Sequence, residues 1–286
     1  MPETVLSLLR RAADHLKNHH ISEPRASAEL LLGHVLGLDR VSLYLNAKRP
    51  LEAEELEGFS RCLERRLRRE PVQFITGTQE FWSLALTVTP DVLIPRPETE
   101  LLVEALLDFA RETGARQMRL MDVGTGSGAI AVAAARELPK AVVVAGDLSL
   151  AALKLARDNA RRHQVSERIL FLCMDLFCGL GRTLFDAVVT NPPYVKSSDF
   201  SLLPREIRDY EPRYALDGGE DGLQTIRAII DQAPDFLRSG GILALEMGAG
   251  QAEVVGALVS RTNRYRGQHM LKDYSAIDRV LIAQRR

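Results

Sequence analysis

Apolar and polar positions divide this chain into two regimes. Val5, Leu8, Leu9, Ala12, Ala13 and Leu16 recur at helical spacing. A second helix is predicted over Ser27 to Leu38, rich in Ala and Leu, and a third within Leu51 to Arg69, beginning near Glu52-Ala53-Glu54-Glu55. Short polar stretches such as Asn46-Ala47-Lys48-Arg49-Pro50 separate them. No strand alternation occurs in residues 1–73, which therefore read as a small helical bundle. The pattern then changes. Gln73 to Trp82 and Leu84 to Val88 carry apolar and β-branched residues around Gly77, which predicts a β-hairpin, and residues 74–95 are taken as a linker. Farther on, short apolar runs read as strands: Met118 to Val123, Ala141 to Ala145, Ile169 to Cys173 and Phe185 to Thr190. Ala129 to Arg136 reads as a helix between the first two. Strands and helices in this order predict an α/β domain built on an open sheet over residues 96–286.

The residues that end the strands carry the chemistry. Gly124-Thr125-Gly126-Ser127-Gly128 follows the first, and such a turn lets backbone approach a ligand while helix N-terminal amides point at it. The second ends at Gly146-Asp147, about twenty residues beyond the glycines, where an acid would grip a ribose diol. The third ends at Met174-Asp175-Leu176. The fourth runs into Asn191-Pro192-Pro193-Tyr194. Each proline fixes φ and lacks an N–H, so this turn is rigid. It aims the Asn191 side chain and neighbouring carbonyls into a cleft with an aromatic ring beside them, which suits holding a planar NH2 group still. The carboxyl edge of an open α/β sheet is where ligands bind. Each feature also has a plainer reading: a proline-rich loop, and helix caps at Asp147 and Asp175. Gly124, Gly126 and Ala129 also fit the G-x-G-x-x-A dinucleotide pattern, but hydride transfer has no need of Asn-Pro-Pro-Tyr.

Length and charge narrow the classes. A chain of 286 residues has room for two domains. Its net charge of -1 provides no overall basic field, so direct nucleic-acid binding is not expected. The cysteines, Cys62, Cys173 and Cys178, lack metal-ligand spacing, and Cys173 and Cys178 are expected in the core. His15, His19, His20 and His34 have no partners at ligand spacing, so no metal site is expected. Met1-Pro2-Glu3-Thr4 lacks a signal-peptide pattern and no apolar run approaches membrane-spanning length, which predicts a cytoplasmic protein away from membranes. Arg61, Arg65, Arg66, Arg68 and Arg69 form the one dense basic cluster. Interleaved with Glu64 and Glu70, it reads either as a solvated helix face or as a docking surface for an acidic or RNA-bound partner. Pro95 and Pro97 stiffen the chain before a helix beginning near Glu98. Glu98 and Glu100 suit its macrodipole, and Arg96 is placed to hold the structure or a substrate.

The glycine turn combined with Asn191 to Tyr194 resembles class I S-adenosylmethionine-dependent methyltransferases. Longer stretches resemble the release factor glutamine methyltransferases, the PrmC/HemK family, over nearly the whole chain. They are Arg69-Glu70-Pro71-Val72, Phe74-Ile75-Thr76-Gly77, Glu80-Phe81-Trp82, Leu93-Ile94-Pro95-Arg96-Pro97-Glu98-Thr99-Glu100, Asp122 to Gly128, Asn191 to Tyr194, Glu211-Pro212 and Ala215-Leu216-Asp217-Gly218-Gly219. The resemblance implies a helical N-terminal domain that helps hold a protein substrate. It implies a Rossmann-like, seven-stranded sheet whose last strand is antiparallel. It also implies methylation, from S-adenosylmethionine, of the glutamine side-chain amide in the Gly-Gly-Gln tip of class 1 peptide chain release factors, by a monomer. Gly124, Thr125, Gly126, Ser127 and Gly128 would then underlie the methionine part of the cofactor. Asp147 would meet the ribose, Asp175 the adenine amino group, and Leu148 and Leu176 the adenine ring. Leu176 departs from relatives that carry an aromatic residue there. Asn191, which would also touch the cofactor, would act with Pro192 and Tyr194 in catalysis, and Pro193 and Arg96 would join them against the substrate. The alternative is an adenine-N6 methyltransferase acting on DNA or RNA, whose planar NH2 group suits the same turn. That activity calls for an unpaired base and a basic channel, and the balanced charge and the Ile94 to Glu100 segment argue against it.

Overall fold

The computed structural model describes residues 3–114, 117–181 and 183–286, so Met1 and Pro2 of the N-terminal reading lie outside the described residues. The chain begins with α1 (Val5–Asn18), α2 (Pro24–Leu36), α3 (Arg40–Leu45), α4 (Ala53–Leu67) and α5 (Val72–Thr76). A hairpin of β1 (Thr78–Phe81) and β2 (Leu84–Thr87) follows, then α6 (Glu100–Thr113). Strands and helices next alternate as β3 (Arg119–Val123), α7 (Ala129–Glu137), β4 (Val142–Asp147), α8 (Leu150–Arg162), β5 (Ile169–Cys173) and β6 (Phe185–Thr190). The remainder is α9 (Arg205–Arg208), α10 (Gln224–Phe236), β7 (Leu237–Glu246), α11 (Ala252–Arg261), β8 (Tyr265–Lys272) and β9 (Asp278–Arg285). Two compact units result. One is the helical stretch up to Thr78 together with Pro204–Tyr210; the other is Gln79–Leu203 with Glu211–Arg286.

In the helical unit, α1 starts on a reciprocal cap: Ser7 N–H donates to Thr4 Oγ1 at 3.3 Å and Thr4 N–H to Ser7 Oγ at 2.8 Å. Its periodic residues Val5, Leu8, Leu9, Ala12 and Leu16 are buried with Leu31 and Leu32 of α2 and Phe59 of α4. The arginine cluster is largely consumed within the unit. Arg61 pairs with Glu57 at 2.6 Å and Arg65 holds both oxygens of Glu70 at 2.8 and 2.6 Å. Arg66, only 4% exposed, and Arg69 both donate to Glu206 Oε1 at 3.3 Å. Burial lowers the Arg66 guanidinium, with Glu206 opposing. These arginines therefore bind the Pro204–Tyr210 segment into the helical unit.

The predicted hairpin begins later than expected. Val72–Thr76 is a helical turn after Pro71, closed by Gly77, and so short an apolar run cannot be assigned by periodicity. The hairpin proper turns at Trp82 and Ser83, whose φ values of +52° and +55° fit the mirror-image turns that match strand twist.

The main sheet has the order β5-β4-β3-β6-β7-β9-β8, and β9 runs antiparallel to both β7 and β8. Successive side chains on each strand enter opposite cores. Leu120, Val143, Ala145, Ala187 and Val189 pack with α6 and α7, whereas Met121, Val144, Val188 and Leu243 pack with α10 and α11. The strand order reverses between β3 and β6, where a crevice opens at the carboxyl ends. Register levels the three strand ends there: Val123 sits opposite Gly146 on one side and Thr190 on the other. Cys173 and Cys178 are exposed, not in the core, because β5 is an edge strand and Cys178 lies in the loop beyond it.

Candidate active site

The three level strand ends open into one cleft. Gly124 and Thr125 N–H groups reach across to Gly146 O at 2.9 and 3.0 Å, which bends the glycine loop over β4. Gly124 and Gly126 have φ of +73° and +56°, and a Cβ at either would project into open space. The loop thus offers bare backbone to the cleft. Gly128 closes the loop as the residue before α7.

Asp147 clamps this loop. Its Oδ2 accepts from Gly126 N–H and its Oδ1 from Ser149 N–H, both at 2.8 Å. Burial raises its pKa against the pull of these amides. It is not the cap of α8, a role taken by Ser149 Oγ toward Ala152 N–H at 3.2 Å. Each carboxylate oxygen has more than one acceptor direction, so Asp147 retains capacity toward the cleft.

A second acid, Asp122, lies under the loop and escaped the sequence reading as a site residue. It is fully buried, and its Oδ2 accepts from Thr125 Oγ1 at 2.7 Å and Ala131 N–H at 3.1 Å. Its Oδ1 has no partner among the described residues. Burial pushes this carboxyl up to about 7. The signal was present in the chain, because Asp122 is a charged residue inside an otherwise apolar strand run that leads into the glycine turn.

Leu148, Asp175 and Leu176 also line the cleft. Asp175 is exposed and its side chain makes no hydrogen bond among the described residues. Leu176 has φ +48°, a left-handed conformation that costs a branched side chain roughly 1–2 kcal/mol.

Asn191, Pro192 and Pro193 line the cleft together with Thr99, Gly124 to Ser127, Asp147 and Thr190. Asn191 Nδ2 donates to Thr99 Oγ1 at 3.0 Å, and Thr99 Oγ1 donates to Glu246 Oε2 at 2.7 Å. Thr99 and Glu246 are 4% and 1% exposed. Burial pushes the Glu246 carboxyl up to about 7; its bond from Thr99 opposes this and the charge of Glu98 adds to it. Asn191 Oδ1 has no partner among the described residues. Tyr194 is not among the residues lining the cleft; its hydroxyl lies 3.5 Å from Glu246 Oε1, and burial raises its pKa. The turn is pinned from outside by Val195 N–H to Leu216 O at 2.9 Å and Gly218 N–H to Val195 O at 2.8 Å. Gly218 must be glycine, since a Cβ there would lie 2.8 Å from Pro193 O and 2.7 Å from Gly222 O. This explains the Ala215 to Gly219 stretch.

Arg96 is also absent from the cleft lining. Its Nη2 donates to Glu211 Oε1 at 2.5 Å, while Glu211 Oε2 accepts from Ile94 N–H at 3.1 Å. Burial raises the Glu211 carboxyl and Arg96 opposes it. Of the two roles open to Arg96 in the sequence, this pairing is the structural one. No group of His, Cys, Asp and Glu that could hold a metal occurs among the described residues. Among the same residues no helix is long and apolar enough to cross a membrane.

Comparison with known proteins gives this geometry a context. A family model described as the PrmC N-terminal domain matches residues 7–77, and one described as a methyltransferase small domain matches residues 97–207. The release factor glutamine methyltransferase of Geobacter sulfurreducens is 44% identical over 97% of this chain and 95% of its own length. That of Chlorobaculum tepidum is 43% identical over 98% of each. Among solved structures, a methyltransferase from Pyrococcus furiosus shares the fold with a TM-score of 0.53 at 17% identity, covering 79% of this chain and 98% of that one. The T. thermophilus 16S rRNA N2 G1207 methyltransferase, in complex with AdoMet and guanosine, does so with a TM-score of 0.54 at 23% identity, covering 73% and 50%. The chain is thus an enzyme of the methyltransferase class and belongs to the release factor glutamine methyltransferase family.

Proposed function

We propose that this enzyme methylates the side-chain nitrogen of the glutamine in the Gly-Gly-Gln tip of class 1 peptide chain release factors, with S-adenosylmethionine as donor and S-adenosylhomocysteine as product. The observation that carries this reading is the Asn191 carboxamide, which stands at the cleft with its nitrogen tied back to Thr99 and its oxygen unpartnered. The cleft also suits the donor. Gly124 and Gly126 leave open space over their backbone for the methionine part, and Gly128 ends that loop. Asp147 would accept from the ribose hydroxyls, Asp175 from the adenine amino group, and Leu148 and Leu176 would flank the ring. S-adenosylmethionine supplies an electrophilic methyl group when bound.

The residues of the chain have a positioning task. A carboxamide nitrogen is a poor nucleophile because its lone pair is delocalised into the carbonyl. Its N–H is so weakly acidic that removing the proton first is unprofitable, and no strong base is found among the described residues that line the cleft. Asn191 Oδ1 and the Pro192 carbonyl accept the two substrate N–H groups and hold the nitrogen toward the donor. Orientation of this kind is worth as much as about 7–11 kcal/mol of barrier. The same acceptors stabilise the positive charge that grows on nitrogen. The surplus proton leaves to solvent after transfer. Pro193 stiffens the turn, Tyr194 supports it from outside the cleft lining, and Arg96 holds the segment before Thr99 through Glu211. The helical unit docks the release factor, and the monomer works in the cytoplasm, where translation terminates.

The test incubates the enzyme and labelled donor with release factor, a release factor carrying alanine at the tip glutamine, and adenine-containing oligonucleotides, with the label mapped by mass spectrometry. Label on the tip glutamine alone is expected. Label on adenine N6 would replace the protein substrate with a nucleic acid.

A further inference from the structure

A carboxamide has an acceptor end and a donor end of nearly the same shape, so a rigid turn does not by itself decide which end of Asn191 meets the cleft. That decision lies one and two residues deeper. The Thr99 hydroxyl has a single hydrogen, and it is directed at Glu246 Oε2, 2.7 Å away. Toward Asn191 the hydroxyl can then only accept, and Asn191 Nδ2 meets it at 3.0 Å. We infer that Thr99 and Glu246 are positioning residues for methyl transfer, fixing the Asn191 amide with its nitrogen inward and its oxygen toward the acceptor substrate. The inference rests on the reading of Asn191 as the group that accepts the substrate N–H.

The reverse orientation would face an NH2 group of the enzyme against an NH2 group of the substrate, losing an acceptor and placing donor against donor. Neither positioning residue needs to touch substrate. Thr99 is held by the end of the stiff Pro95 to Pro97 segment, and Glu246 ends β7, so two elements far apart in sequence meet behind one side chain.

Thr99→Val keeps the shape and β-branching and removes the hydroxyl, whereas Thr99→Ser keeps the hydroxyl. In the full-length enzyme with release factor and donor, Thr99→Val should lower kcat roughly thirtyfold, the scale of losing one buried hydrogen bond. The KM for the donor should hold, the melting temperature should fall because Glu246 and Asn191 each lose a buried partner, and Thr99→Ser should restore most of both kcat and the melting temperature. A valine variant with kcat within about threefold of wild type overturns the inference. A second readout does not depend on the acceptor: hydrogen exchange of the Asn191 side-chain NH2 by nuclear magnetic resonance. Exchange should accelerate in Thr99→Val and stay slow in Thr99→Ser; unchanged exchange in the valine variant overturns the inference. If that variant fails to fold, Thr99→Ala is read by the same two criteria. If the wild-type enzyme labels no release factor, the substrate reading falls by itself and the exchange measurement still decides the role of Thr99.

Discussion

Asn191 serves this site as an oriented dipole more than as a side chain of a given size. Asn191→Ala should therefore reduce kcat by about two to three orders of magnitude, as removal of a transition-state hydrogen-bonding group does, while calorimetry shows donor affinity nearly unchanged. Asp122 gives a different kind of prediction. Its carboxyl titrates at about 7 when folded against 3.8 for the ordinary group, so the folded state binds the proton more tightly than the unfolded chain. The stability this gives is full below about pH 4, is lost as pH rises through about 7, and is flat beyond. Asp122→Asn keeps an acceptor for Thr125 and Ala131 and abolishes the titration. Its melting temperature relative to wild type should climb between those limits, and a constant difference would contradict the assignment. Asn191, Asp147 and the glycines were legible in the sequence because local turn and strand chemistry marks them. Thr99 and Glu246 were not, because their contacts join residues 92 and 147 positions apart.

The elements follow the same division. β3, β4 and β6 could be read from apolar runs that stop at Gly, Asp or Asn, since strands buried on both faces need no alternation, and β5 shows the same kind of apolar run although it lies at the sheet edge. The helical turn α5 could not, being only 5 residues long, and the exposure of Cys173 depended on β5 lying at an edge, which is a property of the assembled sheet. The Ile94 to Glu100 segment owes its fixed path to pairings outside itself. Glu211 is buried with Arg96 as its counter-charge, and Tyr214 Oη donates to Asp91 O at 2.6 Å. Removing one partner of such a pair is costlier than removing both. Arg96→Ala should thus destabilise the fold by about 3 kcal/mol in urea unfolding, and adding Glu211→Gln should recover part of the loss.

At the scale of the whole chain, the helical character of the first residues and the α/β character of the rest were evident from periodicity. Assignment of Pro204–Tyr210 to the helical unit was not, because nothing in its composition separates it from its neighbours. Glu206 supplies the reason for its placement, as the counter-charge for Arg66 and Arg69. Glu206→Ala leaves Arg66 buried without a carboxylate, so urea unfolding should show a loss of about 3 kcal/mol, and amide exchange should rise in residues 204–210. Normal protection of that segment would remove Glu206 as its anchor. The excursion also has a topological consequence. The polypeptide passes between its two units at 78/79, 203/204 and 210/211, so a protease cutting only at the first junction would divide the helical unit itself, leaving Pro204–Tyr210 on the other fragment. A chimera exchanging helical units between relatives must likewise graft two stretches of sequence, not one.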